Sequence, residues 1–167
     1  MKKTILIIII AVAVLVGGLW IYNNQKVITP TANNVEYRND QYGFTFSLPT
    51  SWKGYSIITD KWEGYDLTQQ SPQGQVITEQ GPMISIRHPA WTAKIPRQDI
   101  PIMVFTIKQW NDLQSDKFHI GAAPINPSEL GRNSTYVFAL PARYNFAFPE
   151  GSQEVDQILS QNPLHTF

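Results

Sequence analysis

The chain has 167 residues, the size of one domain with a short appendage, and its 43% apolar and 12% aromatic content is enough to build a hydrophobic core. Thirteen basic residues balance thirteen acidic ones, and the chain lacks the basic stripe that nucleic-acid binding requires. Because it has no cysteine, disulfides, thiolate catalysis, cysteine-bound metals and an N-terminal lipidated cysteine are excluded.

The first 22 residues predict a transmembrane anchor. Lys2 and Lys3 precede an uncharged apolar run from Thr4 to Tyr22, which as a helix would span about 28 Å, close to the thickness of a bilayer's hydrocarbon. The segment Ala11-Val12-Ala13 has the small-x-small form of a signal-peptide cleavage site. It lies inside the apolar run, so we favour an uncleaved anchor over a cleaved signal peptide. The two lysines keep the N terminus in the cytoplasm and predict that the remainder is extracytoplasmic.

Residues 23–34, "NNQKVITPTANN", form a polar segment that contains Pro30 and has no helical periodicity. We interpret this segment as a flexible stem between the anchor (1–22) and an extracytoplasmic domain (35–167). The chain is therefore expected to be a single-pass protein of the cell membrane.

The first half of the domain predicts several short strands. Residues Phe44 to Leu48 alternate between apolar and polar, which is typical of a half-buried strand, and Pro49 ends it. A turn is predicted at residues 71–74, and Pro89 breaks the chain further on. The strands predicted between these breaks are 55–58, 62–68, 75–78 and 83–87.

The middle of the domain combines a strand with a helix. Ile102 to Phe105 predicts a buried strand. Thr106 and Gln109 then have the spacing of a capping box, in which each side chain satisfies a free backbone N–H at a helix start. The helix is expected to run to about Ser115, with one apolar face at three-residue spacing formed by Ile107, Trp110 and Leu113.

The last part of the domain predicts strands at 134–140 and 143–148, separated by Pro141. Ser152 is expected to cap a helix that runs through Ser160, with an inward face of Val155, Ile158 and Leu159. A short strand is predicted at 164–167. This order of elements predicts an α+β fold with an antiparallel β-sheet flanked by helices.

Two stretches resemble a known family. The pattern Y-x-N-x-x-Y-G-F-x-F-x-x-P-x-x-W, formed by Tyr37, Asn39, Tyr42, Gly43, Phe44, Phe46, Pro49 and Trp52, resembles the opening of PsbP-like domains. The closing stretch "EVDQILSQNPLHTF" is similar to the helix-then-strand ending of that family. The resemblance implies an antiparallel sheet flanked by helices. It also implies kinship with a family that includes extracytoplasmic accessory subunits of photosystem II and membrane-tethered bacterial proteins.

The aromatic residues of "QYGFTFSLPTSWKGY" have a structural and a functional interpretation. Residues 42, 44 and 46 share one face of an extended segment because side chains alternate along a strand. Since large aromatic side chains usually supply core area, we expect them to build the core rather than a ligand surface. Only these fold-defining aromatics match the family, so no ligand position is transferred from it.

The sequence contains no motif for catalysis or for a cofactor. His88, His119 and His165 are too far apart for a local metal site, so neither a metal nor a cofactor is predicted. No G-x-S-x-G elbow or Gly-rich phosphate loop is present. Two groups of acids, Asp60/Glu63/Asp66 and Asp112/Asp116, are close in sequence, and we expect them to be solvated surface charge rather than a catalytic pair.

The candidate binding residues flank two proline breaks: Arg87, His88 and Trp91 in "SIRHPAW", and Arg143 and Tyr144 in "PARYNFAF". Trp, Tyr and Arg dominate interaction hot spots, and strand-end loops commonly carry recognition residues. The structural alternative, which is the commoner role of such residues, is that Arg87 pairs with an acid and Trp91 covers the core. The leading hypothesis is a membrane-tethered binding or accessory module that docks an envelope protein partner. Two alternatives stay open. One is a cell-envelope hydrolase that uses a carboxylate pair, and the other is a domain that binds a glycan or peptide on Trp62, Tyr65 and Trp91.

Overall fold

The computed structural model describes residues 34–71, 74–121 and 125–167. The predicted anchor and all but the last residue of the predicted stem lie outside these ranges. Within the ranges, no helix has the length and apolarity needed to cross a bilayer.

The described residues form an α+β domain, as predicted, with antiparallel strands and two α-helices. In chain order the elements are β1 (Val35–Asn39), β2 (Phe44–Leu48), a 3-10 turn (Thr50–Trp52), β3 (Ser56–Ser71), β4 (Gly74–Arg87), β5 (Ile100–Thr106), α1 (Ile107–Gln114), β6 (His119–Ile120), β7 (Ser128–Arg132), β8 (Tyr136–Leu140), α2 (Ser152–Leu159) and β9 (Leu164–Thr166).

The strands form a three-stranded sheet in the order β1-β2-β9 and a six-stranded sheet in the order β6-β3-β4-β5-β8-β7. Strands β3 and β4 make one long hairpin, in which Ser56 pairs with Arg87 at the base. The prediction of four short strands in this region was therefore wrong. Register shifts after Gly64 and Asp66 let one strand continue through residues that interrupt the alternating pattern.

Two hydrophobic clusters form the core. The first contains Phe44, Phe46, Leu48 and Trp52, each at most 1% exposed, packed against strands β4, β5 and β8 and helix α2. Phe44 and Phe46 therefore have the predicted core role, while Tyr42 is half-buried and packs edge-on against Tyr136 at 5.3 Å.

The second cluster is built around the Trp62 ring, which stacks between Phe105 (4.4 Å) and Phe118 (6.1 Å). Trp62 is only 3% exposed, and its Nε1–H donates to the carbonyl of Val104 at 2.9 Å. The ring has no free face, so the suggestion that Trp62 is a stacking platform for a ligand was wrong. Trp110 and Leu113 of α1 pack into this cluster, as their spacing predicted.

The two helix starts differ. The capping box of α1 is confirmed: the Gln109 N–H donates to Thr106 Oγ1 at 3.2 Å, and the Thr106 N–H donates to Gln109 Oε1 at 3.0 Å. The predicted cap of α2 was wrong, because Gly151, at φ 80°, precedes the helix and Ser152 is its first residue. The Gly151 carbonyl accepts the first helical hydrogen bond, from the Val155 N–H at 3.0 Å, so Gly151 and not Ser152 occupies the cap position.

The predicted strand at 143–148 was also wrong. Arg143 (φ 58°) and Phe148 (φ 44°) have left-handed backbones, and their segment folds into consecutive turns. Conversely, β1 and β7 were not predicted. Leu130 is the single large apolar residue of β7, so its pattern carries almost no signal.

Candidate functional site

The predicted binding residues lie in two loops that meet at one end of the six-stranded sheet. Residues 88–99 connect β4 to β5, and residues 141–151 connect β8 to α2. The antiparallel registers of β4, β5 and β8 bring both loops to the same end. The Gln98 N–H donates to the carbonyl of Glu150 at 2.8 Å, and the Gln98 side chain donates to the carbonyl of Tyr144 at 3.2 Å. We call this surface, formed by residues 88–99 and 141–151 with Arg87 beneath them, the loop end.

Arg87 and Trp91 form a fixed pair at the loop end. The Arg87 Nε and Nη2 atoms donate to the Asp99 carboxylate at 3.1 and 2.7 Å. The guanidinium also lies 4.0 Å from the centre of the Trp91 ring. The hydrogen bond to Asp99 raises the pKa of Arg87. The two charged side chains are about one-quarter exposed (26% and 21%), so this arrangement can be reached from solvent.

His88 lies beneath the surface rather than on it. It is 9% exposed, and its ring meets the Trp52 ring edge-on at 5.0 Å. Its Nδ1 accepts the backbone N–H of Ala90 at 3.0 Å. Burial lowers the pKa of His88, and the positive charge of Arg97 lowers it further, so the neutral ring is favoured. His88 therefore supports the first turn of its loop.

Arg143 and Tyr144 have different surroundings. Arg143 is exposed, and no acid among the described residues forms an ion pair with it. Tyr144 is half-buried, and its hydroxyl donates to the Asp156 carboxylate on α2. Burial and this hydrogen bond both raise the pKa of Tyr144. Tyr144 thus holds its loop against the helix, whereas Arg143 is exposed to solvent.

A charged network that no sequence pattern indicated joins the two loops. Arg97, whose side chain is 17% exposed, forms ion pairs with Glu150 and, at 3.3 Å, with Glu154. Glu154 also accepts hydrogen bonds from Ser51 Oγ at 2.8 Å and from Trp52 Nε1 at 3.3 Å. The network borders a groove of about 700 Å³ beside the start of α2. Its members are up to 103 residues apart in the chain, so no local pattern could have revealed it.

The structure gives the surroundings of three of the acids that the sequence grouped together, Asp60, Glu63 and Asp112. Asp60 and Glu63 are three residues apart on β3, so their side chains point to opposite faces of the strand. Asp112 is paired with Lys108 and with Lys117, and these hydrogen bonds lower its pKa. In residues 34–71, 74–121 and 125–167, no group of three His, Cys, Asp or Glu side chains could hold a metal ion.

A second groove, of about 660 Å³, lies along the β3–β4 hairpin. It is lined by Tyr42, Thr59, Asp60, Lys61, Gln80, Gly81 and Pro82. None of the predicted binding residues lines it, so it is separate from the loop end.

No protein-family model, curated protein or solved structure matches this chain. The class that the structure defines is an α+β domain with two antiparallel sheets and two short helices.

Proposed function

We propose that this chain is a membrane-tethered extracytoplasmic accessory module that docks an envelope protein partner through the loop end. The observation that carries the proposal is the Arg87–Trp91 pair. Trp and Arg are the residue types that most often dominate protein interfaces. The Asp99 carboxylate holds Arg87 in place and Arg87 covers one face of Trp91, so little side-chain freedom is lost when a partner binds.

We further propose that the domain is a PsbP-like variant. In support, the two stretches that resemble this family lie side by side in the fold. Strand β2 pairs with β9, with Phe46 opposite Leu164. Glu154 of the closing helix accepts a hydrogen bond from Trp52, the last residue of the opening pattern.

The tether would act by raising local concentration. A flexible stem of 12 residues has a root-mean-square length of about 20 Å, which keeps the domain close to the bilayer. A partner in the same membrane would then meet the loop end at a high effective concentration, so a modest interface would be sufficient.

The test is in-cell crosslinking of the tagged full-length protein, followed by identification of the proteins that copurify. We expect one stoichiometric envelope partner. Trp91→Ala should strongly reduce the amount of this partner that copurifies, because the substitution removes the aromatic half of the Arg87–Trp91 pair. Tyr65→Ala is the matched control. Like Trp91, Tyr65 is a half-buried aromatic residue, but it lies on the β3–β4 hairpin and not at the loop end.

Two results would contradict the proposal. One is the absence of any specific partner for the wild-type protein. The other is equal recovery of the partner with Trp91→Ala and with wild type. A version that starts at Val35 separates the tether from docking: recovery of the same partner at lower yield is expected if the anchor supplies only concentration.

A further inference from the structure

The tips of the two loops expose large apolar side chains. Phe146 and Phe148 are 74% and 75% exposed, the highest values among the large apolar residues that the structure describes. Ile95, at the tip of the other loop, is 56% exposed and lies in a tight turn closed by hydrogen bonds with Thr92. Exposed apolar side chains concentrated at loop tips indicate a surface that is covered in use.

Each apolar tip also carries an unpaired cation. Lys94 precedes Ile95, and Arg143 lies three residues before Phe146. Both cations are exposed, and neither forms an ion pair with an acid in the described part of the chain. The other two arginines of this region, Arg87 and Arg97, are paired with acids. The loop tips therefore present apolar groups next to uncompensated positive charge.

The chain enters the domain at the same end of the molecule. Val35, the first residue of β1, pairs with Leu48 at the end of β2. The 3-10 turn follows directly, and its Trp52 contacts both His88 and Glu154 at the loop end. Val35 thus lies on the side of the domain that carries the exposed tips.

We propose that the loop end rests on the membrane surface, with Phe146, Phe148 and Ile95 inserted among the lipid headgroups. This inference rests on the tether of the proposed function. Lys94 and Arg143 would meet anionic lipid headgroups, whose charge complements theirs. Apolar side chains next to cations are the combination with which interfacial segments enter the boundary between headgroups and acyl chains, to a depth of about 5–10 Å.

We favour a lipid surface over a protein as the occupant of the tips because β1 begins at the same end of the domain. An anchor joined to this end through a short stem holds the tips near the bilayer, and a weak insertion then becomes effective because the tether supplies the second signal. Trp91 and Arg87 lie deeper in the loop end and stay available to a partner in the same membrane.

The absence of cysteine makes a direct test possible. Ala147→Cys places a single thiol between the two phenylalanines without removing either. The full-length variant, labelled with an environment-sensitive fluorophore, is reconstituted into vesicles of phosphatidylcholine and phosphatidylglycerol. Nitroxide-labelled acyl chains report contact with lipid by quenching. Gln41→Cys is the matched control, because Gln41 is exposed in the β1–β2 turn at the opposite end of the domain.

The proposal predicts a blue-shifted emission and several-fold stronger quenching at position 147 than at position 41. Phe146→Ser with Phe148→Ser should abolish that difference, whereas Phe167→Ser, which removes an aromatic residue that is 56% exposed, should leave it unchanged. Vesicles of phosphatidylcholine alone, or Lys94→Gln with Arg143→Gln, should weaken the quenching at 147.

Equal, water-like emission at positions 147 and 41 would overturn the proposal. If position 147 stays aqueous in pure lipid but becomes protected in native membranes, a protein covers the tips and the lipid assignment is wrong. Resistance of the reconstituted protein to alkaline extraction reports the anchor separately. If the protein resists extraction but shows no quenching, the anchor is supported and the insertion of the loop tips is contradicted. If the protein is extracted but position 147 is quenched, insertion of the tips is supported and the anchor is contradicted.

Discussion

The side chain of Asn133 joins two parts of the domain that are about 90 residues apart. Its Nδ2 donates to the carbonyls of Tyr42 (2.8 Å) and Gly43 (3.3 Å), and its Oδ1 accepts the N–H groups of Thr135 (2.9 Å) and Tyr136 (2.8 Å). Asn133-Ser134-Thr135 has the form of a glycosylation acceptor, but the amide that a glycan would modify is used to hold the fold together. Gly43, in a left-handed conformation (φ 73°), lets the β1–β2 turn approach this amide closely.

We expect Asn133→Ala to lower the free energy of unfolding by about 2–3 kcal/mol, because it removes the hydrogen bonds to the half-buried Tyr42 carbonyl and Tyr136 N–H. Chemical denaturation measures the change. Ser134→Ala, one residue along and exposed, is the control and should be close to neutral. A loss for Asn133→Ala as small as that of the control would contradict the role assigned to this amide.

At the scale of single elements, the two helices show when a local motif predicts a helix start correctly. The capping box of α1 needs only residues 106–109, and it forms as predicted. The cap predicted for α2 fails because the chain arrives from a run of turns that ends in Gly151, which shifts the helix start by one residue. A Ser or Thr before an apolar periodic segment thus predicts the helix start reliably when the sequence also supplies its capping partner three residues later, as Gln109 does for Thr106.

The two hydroxyl residues should respond differently to substitution. Thr106→Ala should cost about 1 kcal/mol of stability through the lost N-cap, and Thr106→Ser should retain most of it. Ser152→Ala should cost less, since Gly151 occupies the cap position and Ser152 is already the first helical residue. Thermal or urea denaturation of the three variants measures the differences. An equal loss in Thr106→Ala and Ser152→Ala would contradict the observed caps.

At the scale of the whole molecule, His88 lies where the 3-10 turn, the end of β4, the 88–99 loop and α2 come together. Trp52 packs against its ring, and Arg97, Glu150 and Glu154 supply the charges around it. Burial and Arg97 outweigh the two glutamates and the hydrogen bond with the Ser51 backbone, so the folded protein lowers the pKa of His88 below its usual value of 6.5. The unfolded chain therefore takes up a proton at this position more readily than the folded chain.

The predicted consequence is a loss of stability on acidification. The contribution of His88 is complete above pH 6.5 and declines as the pH falls below that value towards the lowered pKa of the folded state. His88→Asn, which keeps an acceptor for the Ala90 N–H, should flatten the stability profile between pH 7 and about 5. His165→Asn is the control because His165 is exposed. Urea unfolding across this pH range gives the measurement, and an unchanged slope in His88→Asn would contradict it.

The sequence by itself determined the features whose partners lie within a few residues. The alternation of Phe44 to Leu48, the capping box at Thr106 and the terminal strand after Pro163 are all decided by local periodicity or local hydrogen bonds, and the structure contains them. The α+β class follows from the order of such elements. Strand β7 was missed because strand pairing, rather than its own composition, stabilises it. Strand β1 (VEYRN) does alternate between apolar and polar residues, so the sequence carried a signal for it.

Only the tertiary structure decided where the candidate site lies and how it is built. The sequence predicted Arg87, Trp91, Arg143 and Tyr144 as two separate groups, and strand pairing brings them to one end of the sheet. The ion pair between Arg97 and Glu150 joins residues 53 apart, and the burial of His88 depends on Trp52 from a different part of the chain. Such contacts depend on the path of the whole chain, because the energy of an ion pair or of a buried ring is set by what surrounds it and not by its neighbours in sequence.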